Sequence, residues 1–178
     1  KNSFLSRVTL DNKAHTLIGV GHRSYMGFSV YGMALYVEDS LARRAFPKLV
    51  AQAGGSELQQ LRARDLAQNF VVLGEFGKAA VLFFTRKLTA KQIADSYRDL
   101  LKENLKATTA PALRQSTEQF LALFNRDVAA GDEMTIATSS DGLISVTTAG
   151  NRMEGPRDPT LCIDLWNMWL GGKPLSTD

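Results

Sequence analysis

The chain has 178 residues, of which 44% are hydrophobic and 22% are charged, close to the average of soluble globular proteins. This composition excludes disordered and collagen-like chains, and at this length we expect one domain over residues 1–178 with a single core. The 21 Lys and Arg residues exceed the 18 Asp and Glu residues by three, and they are scattered along the chain. Because nucleic-acid binding needs a concentrated basic face, we expect no nucleic-acid partner.

The sequence contains no pattern for a structural metal, a cofactor or a membrane-spanning helix. Its single cysteine, Cys162, and its two histidines lack the clustered spacing of a zinc site. The longest apolar runs, such as residues 79–84, are far shorter than the roughly 20 residues that span a bilayer. We therefore expect no cofactor, no metal ion and no integral membrane segment.

Two strands are predicted near the start of the chain. Residues 16–23 and 28–38 are rich in β-branched and aromatic side chains, which favour strands, and residues 24–27 between them predict a hairpin turn. After the second strand, Asp39 offers a side chain that can cap the start of a helix continuing toward Val50.

The middle of the chain is predicted to contain short elements and one buried strand. Residues 57–61 are compatible with a short helix, and residues 69–73 with a strand. The run 78–86 is apolar on both faces, which is typical of a central strand.

Two helices are predicted next. Thr89 and Gln92 match a capping box, in which each side chain bonds a free amide of the first turn. Apolar residues then recur at intervals of three and four, as in a helix that covers a sheet: Ile93, Tyr97, Leu100 and Leu101. A second helix is predicted to start near Pro111 and to turn Phe120, Leu121 and Phe124 inward.

The last third of the chain predicts a hairpin and a helix. Residues 133–138 and 143–148 alternate apolar and polar side chains around an Asp-Gly turn, which predicts a surface hairpin. A helix follows over residues 159–170. The order of elements predicts the α+β class, with helices layered on one face of a mainly antiparallel sheet.

No common catalytic motif is present, and no catalytic residue is expected. Cys162 lies within the predicted apolar helix, so a packing role is favoured over a nucleophilic one. His22 has no carboxylate close in sequence that could orient it as a base.

Arg23 and Tyr31 are the pair that could carry a function. Alternation places Tyr31 on the same apolar, core-facing side of its strand as Met33 and Leu35. If Arg23 reaches over that face, its guanidinium needs an anionic partner, because an unpaired buried charge costs several kcal/mol. Either a carboxylate of the protein or the carboxylate of a ligand could meet it, and the residues alone leave both open.

These segments resemble a known family. Gly-Val-Gly-His-Arg at 19–23 and Val-Tyr-Gly-Met-Ala-Leu-Tyr-Val at 30–37 resemble the Gly-x-Gly-x-Arg … Val-Tyr-x-x-Ala-Leu-Tyr-Leu signature of the bacterial branch of the chalcone isomerase-like family. Residues 83–105, 130–134 and 165–175 agree further. The resemblance implies an open-faced β-sandwich, a large antiparallel sheet with a layer of helices and a ligand cleft between them. Bacterial relatives often carry an export signal, and because the sequence starts at Lys1 without methionine, a periplasmic location is favoured if such a signal was removed.

The resemblance also implies roles for the pair. The family arginine, which carries over to Arg23, holds the flavonoid oxyanion in plant isomerases and binds a carboxylate together with a tyrosine in plant fatty-acid-binding proteins. Tyr31 stands where that tyrosine is expected and where the isomerases have threonine. Apolar residues stand where the isomerases use tyrosine, asparagine and threonine: Ile93, Leu100 and Met168. These departures favour an acyl chain over isomerase chemistry.

The leading hypothesis is therefore a monomer that binds a fatty acid or similar amphiphilic carboxylate without catalysis. Its predicted site comprises Arg23, Tyr31, Met33, Leu35, Ile93, Tyr97 and Met168. One alternative is an isomerase- or lyase-like enzyme that acts on a phenol or enone through Arg23. The other is a protein-interaction module in which Arg23 pairs with an internal carboxylate such as Asp164 or Glu38.

Overall fold

A computed structural model of the chain describes residues 4–25, 27–40, 43–44, 64–104 and 111–170. The described elements follow in the order β1 (Arg7–Leu10), β2 (Lys13–Tyr25), β3 (Phe28–Glu38), α1 (Arg64–Leu73), β4 (Lys78–Phe84), α2 (Ala90–Asn104), α3 (Pro111–Leu121), β5 (Glu133–Thr138), β6 (Leu143–Thr148), β7 (Asn151–Arg157) and α4 (Pro159–Leu170). The strands form one curled sheet in chain order, with every neighbouring pair antiparallel. This architecture confirms the predicted α+β class.

The two faces of the sheet bury different amounts of side chain. On β3, Tyr31, Met33 and Leu35 join the large core that the helices cover, whereas Ala34 and Tyr36 join a smaller cluster on the opposite face. β4 is the middle strand and is buried along almost its whole length, as its doubly apolar sequence predicts. The helices therefore lie on one face, and the space between them and the sheet is where a cleft can form.

Side-chain caps fix where two of the helices begin. At α2 the Thr89 amide donates to Gln92 Oε1 at 2.9 Å and the Gln92 amide donates to Thr89 Oγ1 at 3.2 Å, which confirms the predicted capping box. At α4 the Asp158 carboxylate accepts from the amides of Thr160 and Leu161 at 3.0 and 3.1 Å. Both helices are thus anchored at their first turns.

Lys78, the first residue of β4, ties α1 to the sheet. Its ammonium donates to the carbonyls of Val71, Val72 and Gly74 at 2.8, 3.1 and 3.0 Å, which are the free carbonyls at the end of the helix. The same ammonium lies 5.6 Å from the centre of the Trp166 ring. Burial lowers the pKa of Lys78 to about 8.

Most predicted elements are confirmed, and several differ. The bounds predicted for β3, β5, β6 and α4 match the structure. β2 runs further than predicted, to Tyr25, which pairs with Phe28 and leaves a turn of two residues. Gly27 takes a φ of 79° in that turn, a conformation that glycine adopts without strain.

Two predictions are wrong, and two strands were missed. The strand predicted at 69–73 is wrong, because those residues form the end of α1. The hairpin of β5 and β6 is not on the surface, because β7 pairs beyond it and Ile144 and Val146 are fully buried. The edge strands β1 and β7 were not predicted. The helix predicted from Asp39 toward Val50 falls largely outside the described residues, as does the helix predicted at 57–61.

No described helix is both long enough and apolar enough to cross a bilayer.

Candidate ligand-binding cleft

A cleft of about 680 Å³ opens between α2 and the hairpin end of β2 and β3, a size typical of small-molecule sites. Its sheet side is lined by Arg23, Tyr25, Phe28, Val30, Tyr31, Leu82, Phe84, Arg86 and Leu88. Its helix side is lined by Gln92, Ile93, Asp95, Ser96, Tyr97, Asp99 and Leu100. The cleft therefore combines apolar surface with polar and charged side chains on both of its sides.

A β-bulge at Val30 shapes the sheet side of the cleft. Arg23 pairs directly with Tyr31, but the next residue along β2, Ser24, pairs with Ser29, so Val30 is an extra residue in β3. In a regular strand Phe28 and Tyr31, three positions apart, would face opposite sides. The bulge resets the alternation, and both side chains line the cleft.

Cross-strand pairing brings Arg23 and Tyr31 together. They are directly opposite each other on adjacent strands, the arrangement in which side chains on one face are in contact. Tyr31 is 5% exposed and meets the edge of Phe84 with ring centres 5.9 Å apart. Arg23 is only partly buried and lines the same cleft as Tyr31.

Tyr97 and Trp169 complete the polar group from the helix side. The ring of Tyr97 stacks on Phe124 at 4.9 Å and meets the edge of Trp169 at 6.4 Å. Among the described residues, three buried side-chain polar atoms have no hydrogen-bond partner, and all three belong to this group: Tyr31 OH, Tyr97 OH and Trp169 Nε1. Such unsatisfied groups are rare in folded proteins, because each loses its bonds to water without replacement.

The charge states of the group follow from burial. Burial raises the pKa of Tyr31, and the nearby Arg23 charge, together with the approach of Arg23 and Trp169 to the phenol, only partly offsets that effect. Burial raises the pKa of Tyr97 well above its usual value, and Tyr31 raises it further, against a lowering by Arg23. Both phenols are therefore protonated at neutral pH and can donate, as can the Arg23 guanidinium and the Trp169 indole.

The protein does not supply the anion for this group from its described part. The alternative pairing of Arg23 with Glu38 is wrong, because Glu38 lies at the other end of β3 and accepts from Lys13 Nζ at 3.1 Å. No described carboxylate, Asp164 included, forms an ion pair with Arg23.

The structure brings four of the seven predicted site residues to the cleft: Arg23, Tyr31, Ile93 and Tyr97. It does not bring Met33, Leu35 and Met168 there; they lie in the packed core, because β3 carries the first two toward the middle of the sheet and α4 turns the third inward. Sequence reasoning missed Trp169, whose indole faces Tyr31 and Tyr97. It also missed Tyr25 and Phe28 at the hairpin end, where the bulge hides the alternation.

Neither a reactive thiol nor a metal-binding cluster occurs in the described part of the chain. Cys162 is buried, and burial raises the pKa of its thiol to about 12, which confirms its packing role. No cluster of His, Cys, Asp and Glu side chains suited to a metal ion occurs among the described residues.

Comparison with known proteins agrees with this architecture. A search of curated protein sequences gave no match. A crystal structure of a fatty-acid binding protein from Arabidopsis thaliana matches with a TM-score of 0.76 and 15% sequence identity, over 95% of this chain and 91% of that chain. The shared fold confirms the open-faced β-sandwich expected from the resemblance. A family model described as chalcone isomerase-like matches residues 61–178, more than half of the chain. The chain therefore belongs to the chalcone isomerase-like family.

Proposed function

We propose that the cleft binds a fatty acid or a similar amphiphilic carboxylate without catalysing a reaction on it. The observation that carries the proposal is the set of buried donors at Tyr31, Tyr97 and Trp169, which lack partners. Tyr31 and Tyr97 line the cleft together with Arg23, and Trp169 lies behind them. A carboxylate accepts hydrogen bonds only, through two oxygens that a guanidinium can bond as a pair. It is thus the chemical complement of this group of donors.

The remaining lining suits an acyl chain. Val30, Leu82, Phe84, Leu88 and Ile93 provide apolar surface next to the donors. Each buried methylene contributes about 0.8 kcal/mol, so a longer chain binds more tightly until the cleft is full. A polar substrate that needs directed bonds along its length would find few partners on this wall.

Similarity to other proteins supports the same ligand class. The Arabidopsis thaliana protein that shares the fold is described as a fatty-acid binding protein. The resemblance noted in the sequence assigns carboxylate binding to an arginine and a tyrosine at the positions of Arg23 and Tyr31, and these two residues are direct cross-strand neighbours.

Calorimetric titration with laurate tests the proposal. We expect Arg23→Ala to weaken laurate binding roughly tenfold to hundredfold, because a hydrogen bond to a charged group contributes about 1.5–3 kcal/mol. Arg114→Ala is the matched control, since Arg114 is exposed on α3 and does not line the cleft; its affinity should equal that of the unmodified protein. Dodecanol, which has the same chain without the charge, should bind weakly to all three proteins.

Two outcomes would contradict the proposal. Equal laurate affinity for Arg23→Ala and the unmodified protein would remove the assigned head-group site. Turnover of a chalcone at neutral pH, faster than in buffer and abolished in Arg23→Ala, would instead favour the isomerase-like alternative.

A further inference from the structure

The hairpin end of β2 and β3 presents two large aromatic side chains to solvent at the mouth of the cleft. Tyr25 and Phe28 pair across the two-residue turn and are 62% and 66% exposed. Both line the cleft, so they lie on its side of the sheet. Aromatic side chains are costly to leave in water, and tyrosine in particular is enriched where a protein meets the interface of a lipid bilayer.

Basic side chains stand beside these aromatic rings. The turn after β4 runs next to the start of β3, where the Thr85 amide donates to the Val30 carbonyl at 3.0 Å. Arg86 and Lys87 follow in that turn; both are exposed, and neither forms an ion pair with a described carboxylate. Asp95, on the opposite rim, is already paired with Lys91 and with Arg98.

We propose that Tyr25, Phe28, Arg86 and Lys87 form a docking surface for a bilayer that contains anionic phospholipids. The rings enter the head-group region, and the two cations contact lipid phosphates. Exposed aromatic and basic residues in one patch are the combination that binds such interfaces, since apolar burial and electrostatic attraction add. The docking does not depend on what the cleft holds. Its consequence, an amphiphile that passes between bilayer and cleft without crossing water, rests on the function proposed above.

Vesicle co-sedimentation tests the docking surface. One set of vesicles contains phosphatidylcholine alone, and the other contains equal parts of phosphatidylcholine and phosphatidylglycerol. We expect the unmodified protein to bind the anionic vesicles and to bind the neutral ones far more weakly. The double variant R86Q/K87Q should lower the partition coefficient roughly 30-fold, from about 1 kcal/mol for each basic side chain near an anionic surface. Phe28→Ser should lower it as well.

The chain offers matched controls for both changes. Val20 is as exposed as Phe28, at 66%, but pairs with Ala34 of the opposite face, so Val20→Ser should bind as the unmodified protein does. Arg43 and Arg44 are also consecutive and exposed, beyond the other end of β3, so R43Q/R44Q should leave binding unchanged. Thermal unfolding of each variant verifies that it is folded.

Three results would overturn the docking surface. They are no binding of the unmodified protein to anionic vesicles, equal binding to both kinds of vesicle, or a loss of vesicle binding in the control variants as large as that in R86Q/K87Q and Phe28→Ser. A dimer that Phe28→Ser dissociates, without vesicle binding, would assign the surface to a second copy of the chain instead. Laurate affinity is measured separately, so failure of the docking and failure of the binding function are distinguishable.

Discussion

Tyr36 and Trp166 show how this protein normally treats a buried polar side chain. The Tyr36 hydroxyl donates to the Leu5 carbonyl at 3.0 Å, and Trp166 Nε1 donates to Thr138 Oγ1 at 2.9 Å. Tyr31 and Tyr97 depart from that pattern, since each buries a hydroxyl without a partner. An unsatisfied group of this kind costs about 1–3 kcal/mol, a cost that a ligand carboxylate would relieve. The ligand-free protein is therefore less stable than it would be with a wholly apolar cleft.

Phenylalanine substitutions separate stability from binding. We expect Tyr31→Phe and Tyr97→Phe each to raise the free energy of unfolding by about 1 kcal/mol, because the unsatisfied hydroxyl is removed. For a domain of this size the melting temperature should rise by about 2–4 °C. Laurate affinity should fall in both variants, because each loses a donor to the carboxylate. Thermal unfolding and calorimetric titration measure the two effects.

Tyr36→Phe is the control for both phenols. It removes a hydroxyl that has a partner on the other face of the sheet, so it should lower the melting temperature and leave laurate affinity unchanged. A loss of stability in Tyr31→Phe as large as that in Tyr36→Phe would show that the Tyr31 hydroxyl is satisfied in the ligand-free protein.

At the scale of elements, Lys78 joins the end of α1 to the start of β4, because its ammonium donates to three carbonyls there. Its charge is well placed at a helix C-terminus, but burial opposes it and lowers the pKa to about 8 from 10.5. In the unfolded chain Lys78 keeps its proton up to about pH 10.5, whereas in the folded protein it releases the proton near pH 8. Between these values the unfolded state binds more protons, so the free energy of unfolding rises with pH.

Chemical denaturation across pH tests this linkage. Relative to Lys78→Met, the unmodified protein should gain up to about 3 kcal/mol of stability between about pH 8 and pH 10.5, from 1.36 kcal/mol per pH unit. Below pH 8 the difference between the two proteins should be constant. Lys102→Met, at an exposed position, should follow the unmodified protein throughout. Parallel curves for Lys78→Met and the unmodified protein would mean that the folded pKa is not lowered.

Over the whole molecule, much of the fold follows from local signals. The bounds of β3, β5, β6 and α4 were predicted because strand-forming composition, alternation around an Asp-Gly turn and an apolar helical run each act within a few residues. The strand predicted at 69–73 failed because Phe70, Val71 and Val72 are strand formers, and only packing of α1 against α4 makes them helical. The strand β7 was missed because it contains Gly155 and Pro156, residue types that are uncommon inside strands.

The cleft was predictable where it depended on short-range patterns, which include the helical spacing that places Ile93 and Tyr97 on one face of α2. Arg23 and Tyr31 follow from the pairing of two recognisable strands. Trp169 does not, because neighbouring helical residues differ in direction by about 100°, and whether Met168 or Trp169 meets Tyr31 and Tyr97 depends on how α4 packs. The missing hydrogen bonds are a property of the assembled structure, so no sequence pattern predicts them.

Hydrogen exchange should distinguish the central strand of the sheet from the elements that line the cleft. We expect the amides of β4 to exchange most slowly, because the strand is central and buried and opens only with global unfolding. Laurate should slow exchange in α2 and at the hairpin end of β3 and leave β6 and β7 unaffected, as measured by mass spectrometry of peptic fragments. Slowing that is uniform over all seven strands would indicate general stabilisation without a localised site.

The extra residue at Val30 affects how similar clefts can be recognised in other sequences. This bulge places Phe28 and Tyr31, three positions apart, on one side of a strand. Such a spacing on one side is typical of a helix and not of a regular strand. A search of other sequences that assumes strict alternation before the Tyr-x-x-Ala segment, residues 31–34, would therefore miss the residue at the mouth of the cleft. Allowing a single-residue insertion ahead of the tyrosine would recover it.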